Sequence, residues 1–126
     1  MKSNDVYYIF AGNPNTPCLV LEQLARSQNE QIRRRIVENE ATELSTLLQM
    51  MDDSNPEVRL ALASNPKLPL ICLQALARDY SEDVRFGIAE NANTHLSILW
   101  ILAEDENPLV ATRAKKTLLA RGILFN

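Results

Sequence analysis

The sequence predicts an all-α fold, a short α-solenoid of about four two-helix repeats with half-repeats at the ends. Three observations predict it. Residues 26 places apart recur in fixed columns: Asn13, Asn39, Asn65 and Asn91; Leu21, Leu47, Leu73 and Leu99; Ile32, Val58, Val84 and Val110. Within a period the apolar residues fall at helical spacing, as at Leu70, Leu73, Leu76 and Ala77. A unit of 26 residues also carries too few apolar side chains to offset the entropy of ordering it, so it must stack on copies of itself.

The chain then divides as one domain into an N-terminal half-repeat (1–12), repeats 13–38, 39–64, 65–90 and 91–116, and a C-terminal cap (117–126). Val6, Phe10 and Ala11 share the columns of Ile32, Ile36 and Val37, so residues 4–12 read as the second helix of an earlier repeat. Each full repeat opens with a first helix. Thr16, Thr42 and Thr94 are its expected N-caps, with Leu68 as the exception, followed by Pro17, Glu43, Pro69 or His95. A second helix follows, capped by Asn29, Asn55, Ser81 or Asn107 and opened by Glu30, Pro56, Glu82 or Pro108. The Asn column ends it, since Asn tolerates left-handed geometry and Pro66 disfavours continuation. The pattern breaks after Ala114: Lys115, Lys116, Leu118, Leu119 and the stop signal Gly122 predict one longer terminal helix, with Ile123-Leu124-Phe125 folded back over the last layer.

Composition sets bounds on function. The hydrophobic fraction of 46% and charged fraction of 23% exclude a disordered chain. A formal charge of -3 does not favour nucleic acid, although a local basic face is compatible with it. No apolar run reaches the roughly 18 residues of a membrane span, and Val6 to Phe10 is too short for a signal peptide, so the expected location is cytoplasmic. Cys18 and Cys72 stand in different columns two repeats apart. At about 10 Å per helix layer their backbones lie roughly 20 Å from each other, too far for a disulfide, and free buried thiols are expected.

The third repeat shows the motif in full: Asn65-Pro66, Pro69, Leu73, Leu76-Ala77, Asp79, Val84-Arg85 and Ile88-Ala89. This resembles the leucine-rich repeat variant family, over roughly residues 4–116, and more weakly the HEAT-like repeats, whose units are longer. The resemblance implies a right-handed solenoid of paired short helices, one of each pair often of 3₁₀ type. Glu40 and Glu43 replace prolines in the second repeat, and the fourth has Ala92, His95 and Ala111, so these are looser copies. A founding member of that family carries a cysteine cluster for an iron–sulfur centre; the two cysteines here do not form one, and no metal or cofactor is carried over.

Three features are candidates for function. Arg33, Arg59 and Arg85 follow the inward Ile32, Val58 and Val84, and Asp53, Asp79 and Asp105 form a matching acidic column. This set reads either as a ladder of hydrogen bonds tying adjacent repeats or, with Arg34, Arg35, Arg113, Lys115 and Lys116, as a basic second-helix face for phosphates or an acidic peptide. The next column holds Tyr8, Arg34, Leu60, Phe86 and Thr112. Leu60 and Phe86, with Tyr80 nearby and small Ala61 and Gly87 beside them, read either as an apolar partner-binding patch or as side chains filling gaps between repeats. Trp100 and Ile101 stand in columns that face outward; either the tail covers them or, with Phe125, they make an end surface for a partner or a homodimer.

Enzyme signatures are missing. His95 is the single histidine, three glycines make no phosphate loop, and the carboxylate pairs Asp52-Asp53 and Asp105-Glu106 sit at helix ends as solvated charge. The expected function is a non-enzymatic protein- or peptide-binding scaffold using the second-helix face, with Leu60, Tyr80 and Phe86 as anchors and Arg34, Arg59 and Arg85 for orientation. The alternatives are nucleic-acid or phosphate binding on the local basic face, and a self-associating structural module.

Overall fold

A computed structural model describes residues 3–123, and among them the secondary structure is entirely helical. The chain forms two compact units, Met1–Leu68 and Pro69–Asn126. The first holds α1 (Ser3–Gly12), α2 (Cys18–Leu24), α3 (Glu30–Glu38), α4 (Leu44–Gln49) with a 3₁₀ turn (Met50–Asp52), and α5 (Pro56–Ala63). The second holds α6 (Leu70–Leu76), α7 (Glu82–Glu90), α8 (Leu96–Ala103) and α9 (Pro108–Ala120). Both members of each helix pair are α-helices; the one described 3₁₀ turn prolongs α4.

In the first unit α3 packs between α1 and α5, while α2 lies against both α1 and α3. In the second, α7 packs on α9 and α8 touches both. The inward columns are the expected ones: Leu21, Ile32, Ile36, Leu47, Val58 and Leu62 are buried in the first unit, and Val84, Ile88, Leu99, Leu102 and Val110 in the second. Each such side chain contributes roughly 1.5–3 kcal/mol by leaving water.

The second helices begin as expected. Asn29 Oδ1 accepts from the amides of Gln31 and Ile32, Asn55 from Glu57, and Asn107 from Leu109, which satisfies amides that have no partner inside the helix. Ser81 makes no such side-chain bond.

The threonine column works differently from the sequence expectation. The first helices start one residue later, at caps Pro17, Glu43, Pro69 and His95. The threonines reach backwards instead: Thr16 Oγ1 donates to the Phe10 carbonyl at 2.6 Å, Thr42 to Ile36 at 2.7 Å and Thr94 to Ile88 at 2.8 Å. They add a second hydrogen bond to carbonyls at the C-terminus of the preceding helix, which also accept the amides of Asn13, Asn39 and Asn91. His95 is the one first-helix cap with a side-chain bond, its Nδ1 accepting from the Ser97 amide at 3.1 Å.

Nor does the asparagine column use left-handed backbone. Asn39 and Asn91 are extended, at φ -77° and -75°. Each asparagine closes an Asx turn through Oδ1, accepting from Asn15, Ala41, Lys67 or Asn93. The amide nitrogen ties layers together. Asn39 Nδ2 donates to the Ala11 and Asn13 carbonyls at 2.8 and 3.0 Å, and Asn65 Nδ2 to the Val37 carbonyl at 2.9 Å. Residue 117 continues the column as Thr117, whose Oγ1 donates to the Ala89 carbonyl at 2.6 Å, the same 28 residues back. Threonine closes no Asx turn here, so α9 runs on for 13 residues.

The terminal helix stops where expected. Gly122 has φ 88°, and the amides of Gly122 and Ile123 donate to the carbonyls of Leu119 and Leu118, a Schellman close. The rest of the tail, Leu124 and Phe125 included, lies outside the described residues. The cysteines are free but not buried: Cys18 is exposed and Cys72 half-buried. The column of Cys18 with Leu44, Leu70 and Leu96 starts each first helix and stays in contact with water, because the inward stripe begins one turn later. Among the described residues no helix is long and apolar enough to cross a membrane.

Candidate partner-binding surface

The second helices carry the candidate surface, and the arginine column is held inward beneath it. Arg33 presents a bidentate fork to Asp53, with Nε to Oδ2 at 2.8 Å and Nη2 to Oδ1 at 3.1 Å, while Nη1 donates to the Ser27 carbonyl at 2.8 Å. Arg85 repeats this with Asp105, at 2.8 Å through Nε, and with the Asp79 carbonyl at 2.5 Å. Arg59 gives Nη1 to the Asp53 carbonyl at 2.6 Å. Arg59 and Arg85 are both buried. Arg33 and Arg85 thus each tie their own loop to a carboxylate 20 residues further on. The aspartates also cap turns: Asp53, Asp79 and Asp105 accept from the amides of Asn55, Ser81 and Asn107.

The Asp53 hydrogen bond raises the Arg33 pKa above its ordinary value, against the opposing effect of burial. A raised folded pKa stabilises fully below the unfolded value, so the gain from Arg33 holds through the whole working pH range.

The column after the arginines faces water. Tyr8 and Arg34 are exposed, Leu60 is half-buried, Phe86 is 36% exposed, and Tyr80, on the loop before α7, is 81% exposed. Arg34 lies 3.5 Å from Glu38 and 3.6 Å from Glu57, and as an exposed cluster these pairs contribute at most about 1 kcal/mol. The fold places Arg34, Arg59 and Leu60 on α3 and α5 of the first unit, and Tyr80, Arg85 and Phe86 at α7 of the second. Trp100, 45% exposed, and half-buried Ile101 lie on α8. A groove of ≈ 310 Å³ brings Ile101 together with Arg78, Arg85, Glu104, Asp105 and Glu106.

One contact escaped the column reading. The Arg35 guanidinium lies over the Tyr8 ring, 4.2 Å from its centroid, and Nη1 donates to the phenol oxygen at 2.9 Å. Gly12 makes room for it, since a Cβ there would collide with the guanidinium. The available signal was Gly12 itself, standing where Glu38, Ser64, Glu90 and Lys116 occur elsewhere. Arg35 and its column mate Arg113 both bury Nε without a hydrogen-bond partner, and both are half-buried, whereas Lys115 and Lys116 are exposed.

Cys18 is an exposed thiol on the surface. A hydrogen bond from its thiol to Glu43 is the largest cause of a raised pKa, with desolvation and the Glu43 charge adding to it. Glu43→Ala should therefore speed alkylation of Cys18 by iodoacetamide at pH 8, because more of the thiol ionises. Peptide mass spectrometry reads the rate; an unchanged rate would remove Glu43 as the cause. Among the described residues no three His, Cys, Asp or Glu side chains are grouped to hold a metal ion.

Comparison with protein-family models, with characterised proteins and with solved structures finds no match to this chain.

Proposed function

We propose that this chain is a non-enzymatic repeat scaffold of the α-solenoid kind, similar to the leucine-rich repeat variants, that binds a protein or peptide on its second helices. The observation that supports this reading most is the exposed column itself. Tyr8, Leu60 and Phe86 leave apolar or aromatic surface in water, and in α5 and α7 the inward face is taken up by Val58, Leu62, Val84 and Ile88. Phe86 is the chosen anchor, with Gly87 beside it leaving space and Tyr80 two residues before α7. Arg34 is the exposed cation of the column, while Arg59 and Arg85 hold the loops that lead into α5 and α7 and so position Leu60 and Phe86.

Crosslinking in the native host followed by affinity capture identifies the partner, and titration with the purified partner measures the surface. Phe86→Ala should weaken binding at least roughly tenfold, as an aromatic anchor does, and Arg34→Glu should slow association. Normal affinity in the double variant would exclude this surface.

A second reading rests on α9. That helix carries Arg113, Lys115 and Lys116 and no carboxylate, and Arg121 follows at its end. Nucleic acid or another polyphosphate is the ligand such a face would take. Affinity would then fall steeply with salt, and Lys115→Glu with Lys116→Glu would abolish it. Failure to bind single or double strands at low salt would exclude it.

A further inference from the structure

Leu109, in the first turn of α9, is 71% exposed. Elsewhere its column holds Asp5, Gln31, Glu57 and Asp83, side chains suited to water. Tyr80 departs from its column in the same way, since its mates are Gln28, Ser54 and Glu106. Phe86 adds a third exposed apolar side chain.

The second unit brings the three to one end of two neighbouring helices. α9 packs on α7, and side-chain bonds hold their N-terminal ends together. Asn107, the cap of α9, donates Nδ2 to Glu82 Oε2 at 2.6 Å, and Arg85 in the first turn of α7 reaches Asp105. Leu109 and Asp83 are column mates on these adjacent helices, and Phe86 lies one turn along from Asp83. Tyr80 stands on the loop that leads into α7.

The accessible charge at this end has one sign. Glu82, Asp83 and Glu106 are exposed. Among the described residues no cation pairs with Asp83 or Glu106, and Glu82 meets the uncharged amide of Asn107. Arg85 is buried and committed to Asp105. Arg78 lines a groove with Glu104 and Glu106, which offset its charge. Lys115 and Lys116 lie about two turns beyond Leu109 along α9. A helix dipole favours acids in the first turn, which accounts for Glu82 and Asp83 but leaves the apolar trio beside them unexplained.

Resting on the partner-binding reading above, we infer that the Tyr80, Phe86 and Leu109 surface receives a basic amphipathic segment of a partner protein, its apolar residues flanked by Lys or Arg. Leu109 joins Phe86 as an anchor. Glu82, Asp83 and Glu106 select the sign of the ligand: they attract a basic segment and repel an acidic peptide or a polyphosphate.

A random peptide library displayed on phage is selected against the full chain, and the enriched peptides are synthesised and titrated by biolayer interferometry. Apolar residues flanked by Lys or Arg should be enriched. Leu109→Gln should weaken those peptides at least roughly tenfold. Asp83→Lys should slow their association roughly tenfold at low salt, by a margin that shrinks as salt is raised. Both side chains face water, and circular dichroism checks that the variants remain folded. Glu106→Lys takes the place of Asp83→Lys should the latter disturb the first turn of α7. Binders without basic residues, or binders that need Phe86 yet ignore either Leu109→Gln or the charge reversal, overturn the inference and leave the second-helix surface standing. Binders indifferent to Phe86→Ala as well, or no binder at all, remove both.

Discussion

Arg85→Ala is expected to lower the unfolding free energy by about 3–5 kcal/mol, the largest effect of any charged residue in the second unit. Both partners are out of water: the Arg85 and Asp105 side chains retain 10% and 8% of their exposure. Deleting the guanidinium leaves the Asp105 carboxylate with the Asn107 amide and strips the Asp79 carbonyl of its donor. The cost is that of stranding these groups, which is why removing one partner exceeds the net worth of the pair. Arg85→Lys should lose somewhat less, since an ammonium keeps the charge but not the two-pronged geometry. Urea unfolding followed by circular dichroism measures both. Arg34→Ala is the contrast: its pairs are more than half exposed, and a change above about 1 kcal/mol there would contradict the division between structural and surface arginines.

Asn39→Ala should cost about 2–3 kcal/mol, by a different route. Asn39 is 5% exposed and makes three bonds, donating to Ala11 and Asn13 and accepting from Ala41. Alanine removes the side-chain donor to the Ala11 and Asn13 carbonyls, the second of which keeps the Thr16 amide, and opens a small cavity. Asn39→Asp tests the assignment of the amide. It keeps the acceptor that closes the Asx turn but points a carboxylate at two carbonyl oxygens. At pH 7 it should be worse than alanine. Such an environment raises the folded carboxyl's pKa above its unfolded value, so stability should recover as pH falls from the folded pKa towards the unfolded one. Asn13→Ala, at an exposed column mate, should cost under about 1 kcal/mol. Equal losses at the two positions would mean that the bonds to Ala11 and Asn13 contribute nothing.

What could be read from the sequence were features set by backbone chemistry within a few residues, or by a period. The caps Asn29, Asn55 and Asn107 announce themselves through residue type and the proline or acid that follows. The inward column of Ile32, Val58, Val84 and Val110 follows from spacing alone. Pairing of the arginine and aspartate columns was foreseen, as one of two readings, because both recur in step. Direction was harder. A threonine before a helix looks the same whether its hydroxyl serves the helix that follows or, as with Thr42 and Ile36, the one before. Recurrence also says nothing of depth: Leu70 and Leu73 look equally apolar, yet the first is 40% exposed. Thr117 was missed because it does the work of an asparagine with a different side chain in the middle of a helix. For the surface, exposure of Phe86 and Tyr80 could be argued from columns, whereas the stacking of Arg35 on Tyr8 depends on the gap at Gly12.

The reach of Asn39 and Asn65 also governs how a gene for such a chain can lengthen or shorten. Each carboxamide meets a carbonyl 28 residues upstream, so gaining or losing one or two codons inside a helix would move every later donor off its target. Copying or deleting a block of 78 nucleotides, three per residue of the 26-residue period, adds or removes a donor and its acceptor together. Tandem duplication is thus the mutation this chemistry forgives, and descendants of the chain should differ in size by whole blocks.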